Sequence, residues 1–243
     1  MLDNKEFTSV ITGVFAKNSL SSLLSRERVE LFFRLTEYLL EQNQLFNLTA
    51  ITDPKKIIFL HYADCAALAA RLPKGARIVD IGCGAGFPTL PIGILRPDVT
   101  VLGIDSTAKK VNYVNSAAAM LGLTNVKAEV ARAEELARTG AREGFDIATA
   151  RAVSEMRVLA ELALPLVRVG GSLIAMKGKN AEFELSGAKR AIAMLGGKFK
   201  KTEPIALCDG SETVEHPLIY IDKISKTPDA YPRAYAQISK KPL

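Results

Sequence analysis

An apolar run that ends in alternating glycines constrains this chain more than any other feature. Ile78-Val79-Asp80-Ile81 reads as a strand buried on both faces, and Gly82-Cys83-Gly84-Ala85-Gly86 follows at once. Glycines so spaced let the backbone turn sharply and let a ligand approach it with no Cβ between. From Arg77 onward, short β-rich runs alternate with helical segments. Val99 to Ile104, Asn125 to Val130, Phe145 to Ala150 and Ser172 to Met176 read as further strands, with His216 to Ile224 a late one. Helices are expected at Lys109 to Leu121, at about Val153 to Val167 and at Ala181 to Leu195, each followed by glycine within a few residues. Alternation of this kind folds through right-handed crossovers into a mainly parallel central sheet with helices on both faces. The expected class is α/β, Rossmann-like, and ligands then bind beyond the carboxyl ends of the strands, where the glycines sit.

The rest of the sequence frames that core. Residues 1–75 read as an N-terminal helical extension. Arg26 to Leu40 carries Val29, Phe32, Leu35 and Leu39 on a near 3.6-residue stripe, and Ile57 to Ala69 suggests another helix entered through Asp53-Pro54. Residues 76–225 hold the core, and 226–243, with Pro228, Pro232 and Pro242, an irregular basic tail, all in a single domain. An apolar share of 48% beside 24% charged residues excludes disorder over the whole length. Cys65, Cys83 and Cys208 show no Cys-x-x-Cys spacing, so neither a disulfide framework nor a metal site is expected. The first residues lack the apolar core of a signal peptide. The apolar stretch Ile78 to Leu95 contains Asp80, four glycines and two prolines, so a reduced, cytoplasmic protein outside the membrane is expected. Nothing resembles a coiled-coil seam, and a monomer is expected. The net charge of +6 is a mild basic excess that suits an anionic partner such as RNA.

The ligand follows from spacing. Asp105 ends the second strand, where a carboxylate can accept both hydroxyls of a ribose. A dinucleotide site wants its third glycine where the helix begins under a pyrophosphate. Here that position is Phe87, and the third glycine comes early, at Gly86. Asp80 would also repel a pyrophosphate, whereas it can help hold a cationic ligand. S-Adenosylmethionine offers a nucleoside, a sulfonium and an ammonium, and no phosphate. The Asp80-x-Gly82-x-Gly84-x-Gly86 pattern resembles the first motif of class I methyltransferases. Arg132-Ala133-Glu134-Glu135 follows the third strand, where Ala133 and Glu134 are placed to border the adenine. Arg151 ends the fourth strand, where methyl donor and acceptor should meet.

The acceptor is narrowed by what is missing. After the fourth strand the chain reads Arg151-Ala152-Val153, with no Asn/Asp-Pro-Pro-aromatic motif of exocyclic-amine enzymes. No cysteine follows a proline or lies at that strand's mouth, so a covalent cytosine mechanism is not expected. A ring nitrogen such as guanine N7 needs neither a nucleophile nor a base, only positioning. No catalytic residue is therefore assigned.

The ordered set Phe46-Asn47-Leu48-Thr49-Ala50-Ile51, His61-Tyr62-Ala63-Asp64, Val79 to Pro88, Asp105-Ser106, Lys109-Lys110-Val111, Arg132 to Glu135, Ala150-Arg151-Ala152, Ala175 to Gly178 and Tyr231-Pro232-Arg233 is similar to the bacterial small-subunit ribosomal RNA guanine-N7 methyltransferases, the glucose-inhibited-division B (RsmG) family. The similarity runs from about residue 25 to the C-terminus. It implies a Rossmann-like class I methyltransferase fold and an S-adenosyl-L-methionine pocket at Gly82, Phe87, Ala133, Glu134 and Arg151, with Asp105 on the ribose. It also implies a guanine of 16S ribosomal RNA, free or in the 30S subunit, as substrate. Lys109, Lys110, Arg132, Lys177 and Arg233 would then neutralise phosphates. The sequence departs from the family at Thr89, often Gly there, at Cys65, often Ser, and over Ala234 to Ser239. Two other readings of the same residues are a methyltransferase acting on a small molecule and a non-catalytic regulator that keeps the cofactor pocket. His61 and Asp64 form a candidate polar pair facing the cleft.

Overall fold

Strand β1 (Arg77–Ile81) is the third strand of a seven-stranded sheet in a computed structural model that describes residues 2–243. On one side of it lie β2 (Thr100–Asp105) and then β3 (Val126–Val130), and on the other β4 (Phe145–Arg151) and then β5 (Val167–Met176), all parallel. Beyond β5 come β7 (Thr213–Lys223) and the edge strand β6 (Gly197–Cys208), both in antiparallel pairings. The chain winds outward from β1 through β2 to β3, then returns past β1 to start β4. That reversal leaves a crevice above the carboxyl ends of β1 and β4, the place where such sheets bind ligands.

Each face of the sheet carries its own core, because alternate strand residues point to opposite sides. Ile78 joins one core, while Val79 and Ile81 join the other. The first is closed by α1 (Asn4–Lys17), α2 (Arg26–Asn43), α5 (Thr89–Leu95), α6 (Ala108–Leu121) and one continuous helical run. That run comprises α3 (Pro54–Ile57), a π-helical turn Ile58–Ala63 and α4 (Asp64–Ala69). The second is closed by α7 (Ala133–Leu136), α8 (Met156–Ala163), α9 (Ala181–Met194) and α10 (Tyr235–Lys240). Local sequence sets the helix ends: an Asp3–Glu6 capping box opens α1, Ser25 caps α2, Asp53 before Pro54 caps α3, and Gly122 in the left-handed region closes α6.

The architecture is the expected one, with local differences. The helix expected to reach Val167 ends at Ala163, a 3-10 turn with Pro165 follows, and β5 begins at Val167. Strand β6 was not anticipated, because Lys198, Lys200, Lys201 and Pro204 mask it; charges and proline are how an edge strand avoids further pairing. The tail expected to be irregular contains α10, whose Ile238 is fully buried in the second core.

Candidate cofactor and acceptor site

The chain leaves β1 at Gly82, with φ +69°. A Cβ there would lie 2.9 Å from Val153 Cγ2, so a larger residue would be both strained and in collision. Gly103, on neighbouring β2, allows the loop to settle: a Cβ at that site would stand 3.0 Å from both Cys83 Cβ and Thr89 Oγ1. The loop is tied down by N–H groups of Gly82 and Cys83, which donate to Ile104 O at 2.8 and 3.0 Å. Gly84 N–H donates to Asp105 Oδ2 at 3.1 Å, and Thr107 N–H to Asp105 Oδ1 at 2.8 Å. Backbone amides thus fix the Asp105 carboxylate beside a cavity of about 190 Å³, which Gly82, Ala133 and Glu134 also line over apolar Ile104 and Leu162.

These groups fit S-adenosylmethionine: the carboxylates of Asp105 and Glu134 outnumber the single cation, Arg132, beside a ligand that carries no phosphate. The other residues expected around the cofactor are placed differently. Asp80 is fully buried beneath the loop, where Thr89 Oγ1 donates to its Oδ2 at 2.5 Å while Oδ1 has no partner. Burial pushes the Asp80 carboxyl up to about 7. Thr89, one of the departures from the family pattern, therefore supplies that acid's one side-chain partner. Phe87 stacks on the His61 ring, centroids 4.4 Å apart, and Gly86 packs on Leu90 and Val114; neither lines the cavity.

Arg151 lies in a second chamber of about 400 Å³ at the carboxyl ends of β4 and β5. Val153 lines both chambers and divides them. Arg151 Nη2 donates to Leu60 O at 3.0 Å and His61 Nδ1 at 2.9 Å, and its Nε is 3.5 Å from Asp64 Oδ2. Asp64 Oδ1 in turn meets His216 Nδ1 at 3.2 Å. His61 Nδ1 also lies 3.2 Å from Leu60 O, and its Nε2 faces Thr49 Oγ1 at 3.2 Å. Burial, and then the Arg151 charge, holds His61 down to about 4. The expected His61–Asp64 pair is thus joined through Arg151 and extended to His216, which comes from the last strand.

The cations expected on RNA divide into two groups. Lys109 is exposed with its Nζ 5.6 Å from the Phe46 ring centroid, Lys110 is half-buried, and neither forms an ion pair among the described residues. Arg132 is exposed and lies over the Tyr235 ring. Lys177 and Arg233 are committed to the fold instead. Lys177 Nζ donates to Ser154 O and, at 2.7 Å, to Glu184 Oε2; the same oxygen accepts from Met156 N–H at 3.0 Å. Arg233 Nη2 is 2.6 Å from Oε2 of Glu161, whose side chain is fully buried. Val153, His216, Glu184 and Tyr235 line the chambers without having been singled out. Each is brought in from a segment whose own sequence carries no ligand signal. Among the described residues no cluster of His, Cys, Asp or Glu could hold a metal ion, and no helix is long and apolar enough to cross a membrane.

Comparison with known proteins agrees with this geometry. The family described as "GidB: rRNA small subunit methyltransferase G" matches residues 28–207. Ribosomal RNA small subunit methyltransferase G of Clostridium perfringens (strain 13 / Type A) is 42% identical over 231 residues, covering 94% of this chain and 96% of that one. The protein of the same name from Desulfitobacterium hafniense (strain Y51) is 40% identical over 234 residues, covering 96% and 97%. Among solved structures, M. jannaschii TYW2 in complex with AdoMet superimposes with a TM-score of 0.53 at 15% identity, over 67% of this chain and 75% of that one, a likeness of fold. With the relatives matching nearly end to end and the glycine loop, Asp105 and Arg151 gathered at one crevice, the chain belongs to the rRNA small subunit methyltransferase G (GidB) family.

Proposed function

We propose that this chain, as a monomer, transfers the methyl group of S-adenosylmethionine to N7 of a guanine in small-subunit ribosomal RNA. The observation that carries the reading is the pair of adjoining chambers divided by Val153, one beside a fixed carboxylate and a glycine edge, the other beside Arg151. Bound S-adenosylmethionine supplies an electrophilic methyl carbon on a sulfonium. Asp105 would accept from the ribose hydroxyls, and Ala133 and Glu134 would border the adenine.

Guanine N7 presents a lone pair in the ring plane and has no proton to lose. The residues around the acceptor chamber match that requirement. His61 is no free base, because its Nδ1 faces Arg151 and its Nε2 faces Thr49. Burial pushes the Cys65 and Cys83 thiols well up, so neither is a ready nucleophile. What the chain can supply is position and charge. Methylation leaves the purine cationic, and the carboxylates of Asp64 and Glu184 line the chamber that would receive it. Lys109, Lys110 and Arg132 would meet the phosphates. The test is tritiated methyl transfer onto small subunits from cells lacking this enzyme. Label in 16S RNA that falls at least about tenfold with Asp105→Ala supports the reading, and label confined to protein or transfer RNA overturns it.

A further inference from the structure

The C-terminal segment reaches the mouth of the first chamber and is held there from both sides. Arg138 Nη2 donates to Pro232 O at 2.5 Å, and Arg142 Nη1 to Tyr231 O at 2.9 Å. Arg233 grips Glu161 with its backbone N–H and Nε on one oxygen, at 2.9 Å each, and Nη2 on the other. Beyond the gripped residues, Ile238 of α10 is fully buried. Between these anchors stands Tyr235. Its side chain lines the chamber with Asp105 and Glu134, and the Arg132 guanidinium lies 5.7 Å from its ring centroid. Tyr235 is 42% exposed, and its hydroxyl makes no hydrogen bond among the described residues. The packing of the tail thus rests on its neighbours, while a large aromatic surface is left open beside a nucleoside-sized crevice.

We propose that the C-terminal segment is a wall of the cofactor site, and that the Tyr235 ring is the surface against which the adenine of S-adenosylmethionine rests. The proposal rests on the reading of this chamber as the cofactor site. A purine presents a π face that stacks on an aromatic ring without any hydrogen bond, so the ring matters and the hydroxyl does not. Arg132 keeps the ring in place by lying over it, and the Arg233–Glu161 grip fixes the backbone that carries it. The tail then acts on the cofactor, where the sequence alone suggested RNA.

Calorimetric titration with S-adenosylmethionine of the wild type, Tyr235→Ala and Tyr235→Phe tests this. Tyr235→Ala is expected to weaken binding by about tenfold, and Tyr235→Phe to stay within about twofold of wild type. The thermal midpoints of all three without ligand should lie within a few degrees of one another, since the side chain is partly exposed and contributes on the order of 1 kcal/mol. Wild-type affinity in Tyr235→Ala overturns the proposal while leaving the cofactor reading intact. A wild type that does not bind S-adenosylmethionine overturns both. An equal loss in Tyr235→Phe would assign the role to the hydroxyl and overturn the stacking.

Discussion

Asp105 shows how a single residue can be both structural and a ligand group. Its two oxygens each accept one backbone N–H, from Gly84 and Thr107, and this aims the carboxylate rather than exhausting it, since a carboxylate has about four acceptor sites. Asp105→Ala should therefore lower S-adenosylmethionine affinity at least about tenfold while costing only about 1–2 kcal/mol of stability, read by calorimetry and by denaturant midpoint. Two buried groups give the fold opposite pH responses. His61 is held at about 4 in the fold against 6.5 when free, so between those values the unfolded chain binds a proton that the folded one refuses. That term removes stability as pH falls from about 6.5 to 4 and is silent above. Asp80 is raised to about 7 from 3.8, so the folded chain keeps a proton that the unfolded one releases, and its contribution is present at low pH and lost as pH rises towards 7. Asp80→Asn removes the second term only. Its stability relative to wild type should rise between pH 5 and pH 8 by a few kcal/mol, on the order of what a shift of this size carries. A difference independent of pH would contradict the assignment.

Elements differ in how much of themselves they announce. Strand β1 and its loop were plain from the sequence, because an apolar run and glycines at φ near +70° are local requirements. Gly82, Asp105, Ala133 and Glu134, which line the first chamber beside that loop, were legible for the same reason: each lies at or just after the end of a parallel strand. Strand β6 was hidden by its lysines, and α10 by the prolines before it. Val153 was read as the start of a helix, but Ala152 takes a positive φ of 55° and the helix begins only at Met156. The intervening loop divides the chambers and is latched by Lys177 and Glu184, a contact between segments that no local pattern encodes. Lys177→Met breaks a largely buried pair and should cost about 1–3 kcal/mol. Amide hydrogen exchange at Met156 should accelerate more than at α9. Unchanged protection there would show that the latch does not hold the loop.

At the scale of the molecule, the sheet brings a helical extension, a core and a tail to one crevice. The two chambers draw on all three: Asp64 from the extension, Asp105 and Arg151 from the core, Tyr235 from the tail. Cations such as Lys177 and Arg233 are ion-paired within the fold, so the surface open to RNA is set by the cations left unpaired rather than by the net charge of +6. Lys109 and Lys110, in the first turn of α6 beyond the carboxyl end of β2, form no ion pair among the described residues. Replacing both with alanine should reduce the salt dependence of subunit binding, by a slope of roughly 1 to 2, while leaving S-adenosylmethionine affinity alone. An unchanged slope would move the RNA surface elsewhere.

The most direct test of the central claim is the identity of the methylated atom. Small subunits from cells lacking the enzyme would be incubated with this protein and S-adenosylmethionine. The 16S RNA would then be digested to nucleosides and read by mass spectrometry. The two-chamber site, read as positioning a ring nitrogen that has no proton to lose, predicts 7-methylguanosine as the one new nucleoside. A methyl group on an exocyclic amine, on cytosine C5 or on a ribose would contradict it.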